Sequence, residues 1–76
     1  MKNNFKLECY WKNIEAIAED GASVIIKLDG QRSKDNFYSV VLSGGKLKDG
    51  FFRKDGAELD LLLEELIAYY DSLSNY

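Results

Sequence analysis

Leu59, Leu62, Leu63, Leu66, Ile67, Tyr70 and Leu73 stand at positions i, i+3, i+4, i+7, i+8, i+11 and i+14. That spacing draws one apolar stripe down an α-helix. A strand would send Leu62 and Leu63 to opposite faces, so the stretch cannot be a half-buried strand. A long helix is therefore expected over 56–73. Asp55 is its expected N-cap, with Glu58 three residues later as in a capping box. No Gly closes the far end, and residues 72–75 are expected to fray. Burying each large apolar side chain contributes about 1.5–3 kcal/mol, so Leu63→Asp is expected to unfold the domain.

The outer side of this helix carries Glu58, Asp60, Glu64, Glu65 and Asp71, and no Lys or Arg follows Lys54. Residues 55–76 hold six acids and no base, a charge of −6, against −3 for the chain and so +3 for residues 1–54. The helix thus gives up the i,i+4 pairs of opposite sign that support many exposed helices. Two readings follow. The acids form an ordinary solvated face, or they form a negative surface for a basic partner that otherwise holds nucleic acid.

At 76 residues the chain is expected to form one small domain, 1–76, burying a modest share of its surface. Cys9 is the only cysteine, so no internal disulfide can form, which fits a reducing compartment. Hydrophobic content of 46% suits a globular chain better than a disordered one. Charged and polar residues follow Met1 directly, unlike a signal peptide. No apolar run approaches the roughly 20 residues that span a bilayer. The expected setting is cytoplasmic, without membrane association. There is no His, which removes the commonest general base and metal ligand.

Residues 5–20 read in several ways. Leu7, Tyr10, Trp11, Ile14, Ile17 and Ala18 fit a helical stripe, which Asn3 or Asn4 can open and Gly21 can close. Phe5, Leu7, Cys9 and Trp11 also alternate like a strand. A strand at 5–11 with a short helix at 14–20, or a strand at 14–19 turning at Asp20-Gly21, stays open too. A helix within 5–20 has the most matching positions. Beyond it, Val24, Ile25, Ile26 and Leu28 define a strand over 22–29, with Val24, Ile26 and Leu28 on one face. Residues 31–36 read as a solvated loop. A second strand over 37–43 sends Tyr38, Val40 and Leu42 to the core and Phe37, Ser39, Val41 and Ser43 outward. A short third strand is expected over 50–53. The connections are too short for parallel crossovers, so the sheet is antiparallel. The expected architecture is α+β: about three strands packed by the C-terminal helix.

Few constellations carry chemistry. Gly44-Gly45-Lys46-Leu47 lacks the Ser/Thr and the upstream Gly of a phosphate loop and reads as a hairpin turn. Cys9 has no His to activate it and is expected to pack as a small hydrophobe. Glu15, Glu19 and Asp20, or Glu64 and Glu65, could pair as acid and base, but so short a chain leaves little room for a cleft. One Cys and no His cannot build a zinc site, and Asp29-Gly30 and Asp49-Gly50 lack calcium-loop spacing. No catalytic, cofactor or metal residue is assigned. Lys46, Lys48, Arg53 and Lys54, interleaved with Phe51 and Phe52, could bind a nucleic-acid strand. The acidic pI near 4.8 argues against that. Tyr10, Trp11, Tyr38, Phe51, Phe52, Tyr69, Tyr70 and Tyr76 exceed what a small core can hide, which suggests an interface.

A helix, three antiparallel strands and a helix resemble the element order of double-stranded-RNA-binding domains. The basic helix-start motif of those domains is replaced here by Lys54-Asp55-Gly56-Ala57-Glu58, which would repel phosphate, so the resemblance stops at order. In general character the chain also resembles small phage inhibitors, such as anti-CRISPR proteins, and toxin-immunity proteins. The function expected is thus non-enzymatic: occupation of a basic protein surface by Glu58, Asp60, Glu64, Glu65, Tyr69 and Asp71. Nucleic-acid binding through Lys46, Lys48, Arg53 and Lys54, and a structural homodimer, are the alternatives.

Overall fold

A computed structural model describes residues 4–73, with side chains from Glu8 onward. The elements run α1 (Asn4–Glu19), β1 (Ala22–Leu28), β2 (Tyr38–Gly44), β3 (Phe51–Gly56) and α2 (Leu59–Ser72), with single 3-10 turns at Lys34–Asn36 and Gly45–Leu47. The fold is small α+β, as expected.

Residues 4–19 are helical throughout, which removes the strand readings of 5–11 and 14–19. Gly21 closes α1 as expected: at φ +108° its N–H donates to the Ala18 carbonyl at 3.0 Å. The stripe expected along α1 is narrower than drawn. Ile14 and Ile17 are buried and Tyr10 is half-buried, but Trp11 is 51% exposed and Ala18 is exposed. Leu7 lies outside the described side chains. Cys9, expected in or near the core, is exposed. It stands about 140° round the helix from Ile14, at roughly 100° per residue, so it clears the sheet.

The sheet has the order β1-β2-β3, antiparallel throughout. Val24 faces Leu42, Ile26 faces Val40 and Leu42 faces Phe52 across the ladders. Both helices cover the face formed by the even-numbered strand residues. Ile14, Ile17, Ala22, Val40, Leu42, Leu62, Leu63, Leu66 and Tyr70 make the core. Leu28, expected on this face with Val24 and Ile26, lies at the strand's end and is 60% exposed. The odd-numbered residues Ser23, Ile25, Lys27, Ser39, Val41, Ser43, Phe51, Arg53 and Asp55 form a face with no helix over it among the described residues.

The largest correction concerns Asp55. The third strand does not stop at 53 but runs Phe51–Gly56, and α2 begins at Leu59 rather than 56. Asp55 is therefore a strand residue opposite Ser39, not a helix cap. It accepts the Ser39 hydroxyl at 2.6 Å, with Arg53 Nε at 3.4 Å and Arg32 Nη2 at 3.6 Å. A hydroxyl and two guanidiniums offer a carboxylate more than the free amides of a helix start. Glu58 takes the N-cap position without a side-chain cap bond. The contact from Arg32 also draws the loop 31–36, expected to be solvated, over this end of the sheet, and Ser39 beneath it is 2% exposed.

Candidate interaction surface

Charge in this protein is sorted by layer. Residues 4–20 hold Lys6 and Lys12 against Glu8, Glu15, Glu19 and Asp20, net −2, and residues 58–73 hold five acids and no base, net −5. Residues 21–57, which supply the sheet and its turns, hold seven bases and four acids, net +3. The helical side of the molecule is the acidic one.

The acids of α2 do not form one stripe. Asp60, Glu64 and Asp71 (i, i+4, i+11) share the flank toward α1. Glu58, Glu65 and Tyr69 (i, i+7, i+11) share the flank toward β3. Leu61, 48% exposed, and Ala68 stand on the crest between them. On the β3 flank, Lys54 Nζ lies 3.0 Å from Glu65 Oε1, so one member of the acidic set is ion-paired with one member of the basic set. Both side chains are about half exposed, and such pairs contribute at most about 1 kcal/mol. Tyr69, expected to stand free as an anchor, stacks on Phe52 with ring centroids 4.7 Å apart and keeps 37% exposure.

The α1 flank is more densely negative. Tyr70, 3% exposed, donates its hydroxyl to Asp20 Oδ2 at 2.6 Å, tying the C-terminal end of α2 to the end of α1. The Lys46 amide donates to the same hydroxyl at 3.3 Å, and Lys46 Nζ sits 5.0 Å from the Tyr70 ring centroid. Gly45 passes so close that a Cβ there would lie 2.6 Å from the Tyr70 oxygen. The hydrogen bond to Asp20, and after it burial, raise the Tyr70 hydroxyl above its ordinary pKa; the Lys46 amide opposes them. The phenol stays protonated near neutrality and acts as a tie between elements. An open cleft of about 550 Å³ runs between the helices here, lined by Asn13, Asp20, Lys46, Ile67, Tyr70 and Asp71.

Neither helix has a basic residue in its last turn. The free carbonyls there carry the negative end of each helix dipole, where Lys or Arg is favourable and acids are not. This chain instead brings two such ends together and adds Glu19, Asp20 and Asp71. Sequence reasoning did not assign Asp20 or Leu61 to the interaction surface, and it counted Trp11 only among the surplus aromatics. Leu61 was visible as the one leucine of 59–66 outside the stripe, but Asp20 and Asp71 line one cleft only through the parallel course of the two helices.

The four bases of the alternative set are scattered. Arg53 lies on the uncovered face with Phe51, which is 67% exposed. Lys54 points to the helical side, Lys46 folds over Tyr70, and Lys48, at φ +59°, is in the β2–β3 turn. Among the described residues, no three of His, Cys, Asp and Glu stand together as a metal site, and no helix is long and apolar enough to cross a membrane. No family model matches this chain, nor does any curated protein or solved structure.

Proposed function

We propose that the protein is a non-enzymatic binding protein that covers a basic surface of another protein with its acidic helical layer. The surface it takes is one that nucleic acid would occupy, so binding is inhibitory, in the manner of small phage inhibitors such as anti-CRISPR proteins, or of toxin-immunity proteins. A reducing cytoplasm is the setting. The observation that carries this reading is the convergence of two negative helix ends with Asp20 and Asp71 and no basic residue in either last turn. Neither helix end has a cation of its own; Lys46, from the β2–β3 turn, lines the cleft and offsets part of the charge, and the surplus that remains supports the reading. Glu64 and Asp60 extend the negative flank. Leu61 and Tyr69 supply apolar contact, and Glu58 and Glu65 lie at the rim.

The test uses the basic protein captured from nuclease-treated host lysate as ligand. Glu64→Lys with Asp71→Lys is expected to weaken binding by at least about 100-fold, and Glu58→Lys with Glu65→Lys by about tenfold or less. Added salt weakens the unaltered pair. Unchanged affinity in a folded Glu64→Lys/Asp71→Lys protein overturns the reading. A nucleic-acid reading retains one favourable observation, the exposed Phe51 beside Arg53. Fluorescence polarisation with a labelled single strand checks it, and Phe51→Ala is the variant that would abolish such binding.

A further inference from the structure

The two edges of the sheet are built differently. β3 carries Arg53, Lys54 and Asp55 among six residues, the charged composition that discourages strand addition. β1, Ala-Ser-Val-Ile-Ile-Lys-Leu, has one charge in seven residues and no Pro. Its outer edge has no strand partner among the described residues. Ile25 and Leu28 stand 54% and 60% exposed on its two faces. We propose that this edge is an interface, at which two copies of the chain pair β1 to β1 antiparallel and make one six-stranded sheet.

The register follows from the backbone. The Asp29 amide donates to the Phe37 carbonyl at 2.8 Å, so position 29 is hydrogen-bonded to β2. Backbone groups alternate along an antiparallel strand. Ser23, Ile25 and Lys27 therefore turn theirs toward β2, and Ala22, Val24, Ile26 and Leu28 turn theirs to the free edge. A two-fold axis through Ile25 then aligns all seven residues of both strands. Val24 meets Ile26 of the second copy and Ala22 meets Leu28, each as a hydrogen-bonded pair. Ile25 meets itself as a non-bonded pair, where Cα atoms approach to about 4.5 Å and side chains touch. Lys27 lies opposite Ser23, so no like charges face each other. The edge is thus complementary to itself in hydrogen bonding, apolar contact and charge.

The helices agree with this geometry. The flank of α1 bearing Asn13 and Asp20 lines the cleft with α2. Trp11 and Ala18 are on the opposite flank, beyond β1. The two-fold axis keeps both helical layers on one side of the joined sheet and brings the Trp11 flanks together over the seam. Trp11, 51% exposed in one copy, is covered there. Two acidic layers are also brought side by side, so salt tightens this association, the opposite of its effect on the basic partner.

Sedimentation equilibrium of the full chain tests the proposal. The expected mass is twice 8.7 kDa, with dissociation reduced by added salt. Ile25→Lys sets two ammoniums against each other at the two-fold and is expected to raise the dissociation constant by at least about 100-fold. Its circular dichroism spectrum should be unchanged, since Ile25 is exposed in the single copy. A cross-link reads the register independently. In a Cys9→Ser background, Ile25→Cys should oxidise to a disulfide-linked dimer, because a non-bonded pair brings Cα atoms within disulfide reach. Ser23→Cys should not, because it faces Lys27. A single-copy mass at the highest soluble concentration overturns the proposal, as does a dimer that survives Ile25→Lys. Equal cross-linking at 23 and 25, or none at either, overturns it too.

Discussion

Val40, Val41 and Leu42 are neighbours in β2, yet Val40 and Leu42 are fully buried while Val41 keeps part of its surface in water. Alternation along a strand sends them to opposite faces, and only one face has helices over it. Each face also holds a carboxylate that accepts a hydroxyl at 2.6 Å: Asp20 from Tyr70 on the helical side, Asp55 from Ser39 on the uncovered side. The surroundings of the two differ. Asp20's partner is a buried phenol, and Asp55's other partners are two guanidiniums at the surface. The helical face holds the fold together by packing. The uncovered face is held at one end by charge, and elsewhere its residues are free for contact with another molecule.

Leu42→Ala should produce the largest effect. A fully buried leucine truncated between β1, β3 and α2 leaves a cavity, and such changes cost about 2–5 kcal/mol. Urea unfolding measures it. The matching change on the other face, Phe51→Ser, should fall within about 0.5 kcal/mol, because Phe51 is 67% exposed. Equal costs would mean that the uncovered face is packed in solution. A loss at Phe51 that grows with protein concentration would point to association through that face.

The helical face was the legible one. Leu62, Leu63, Leu66 and Tyr70 announce themselves by helical spacing, and Tyr38, Val40 and Leu42 by alternation, because apolar burial leaves a periodic trace. The start of α2 was misplaced for a related reason. Asp55 followed by Glu58 satisfies a local capping rule, while two of the contacts that claim Asp55 come from Ser39 and Arg32, in other parts of the chain, beside Arg53 in its own strand. Short-range patterns cannot register a competitor sixteen or more residues away. The acidic set was legible as composition but not as geometry. Its division into two flanks follows from helical phase, but the placing of Asp71 and Asp20 on one cleft depends on how the helices lie on the sheet.

Tyr70→Phe comes second in size. It removes a hydroxyl that donates to Asp20 and accepts from the Lys46 amide, while leaving the ring to pack. The expected cost is about 1–2 kcal/mol. The pH dependence sharpens the assignment. Tyr70's pKa is raised in the fold, so the fold favours the protonated phenol. That contribution is complete below pH 10 and is lost as pH rises through the folded value. Phe has no such proton, so the gap between the two proteins should narrow in alkali. A gap that stays constant to high pH would mean the hydroxyl contributes nothing through Asp20.

Asp55→Asn should cost less than Tyr70→Phe, and its signature is its dependence on pH and salt. The Ser39 hydroxyl, then Arg53 and Arg32, hold the Asp55 carboxyl below its ordinary 3.8, against an opposing push from desolvation. A depressed carboxylate contributes stability that is present above the unfolded value and is lost as pH falls through the folded one. Asn keeps an oxygen for Ser39 to bond but gives the guanidiniums no charge. At neutral pH the variant should therefore be the less stable protein in urea, and the difference should close as the solution is taken below pH 4. Salt should shrink the neutral-pH difference as well, since Arg32, Arg53 and Asp55 all stand partly in water. The same treatment should leave the Tyr70→Phe difference at neutral pH nearly unchanged, because that hydroxyl is buried and uncharged. If salt moved both differences alike, the contrast between a packed face and a charge-held one would fail at its two best-defined contacts.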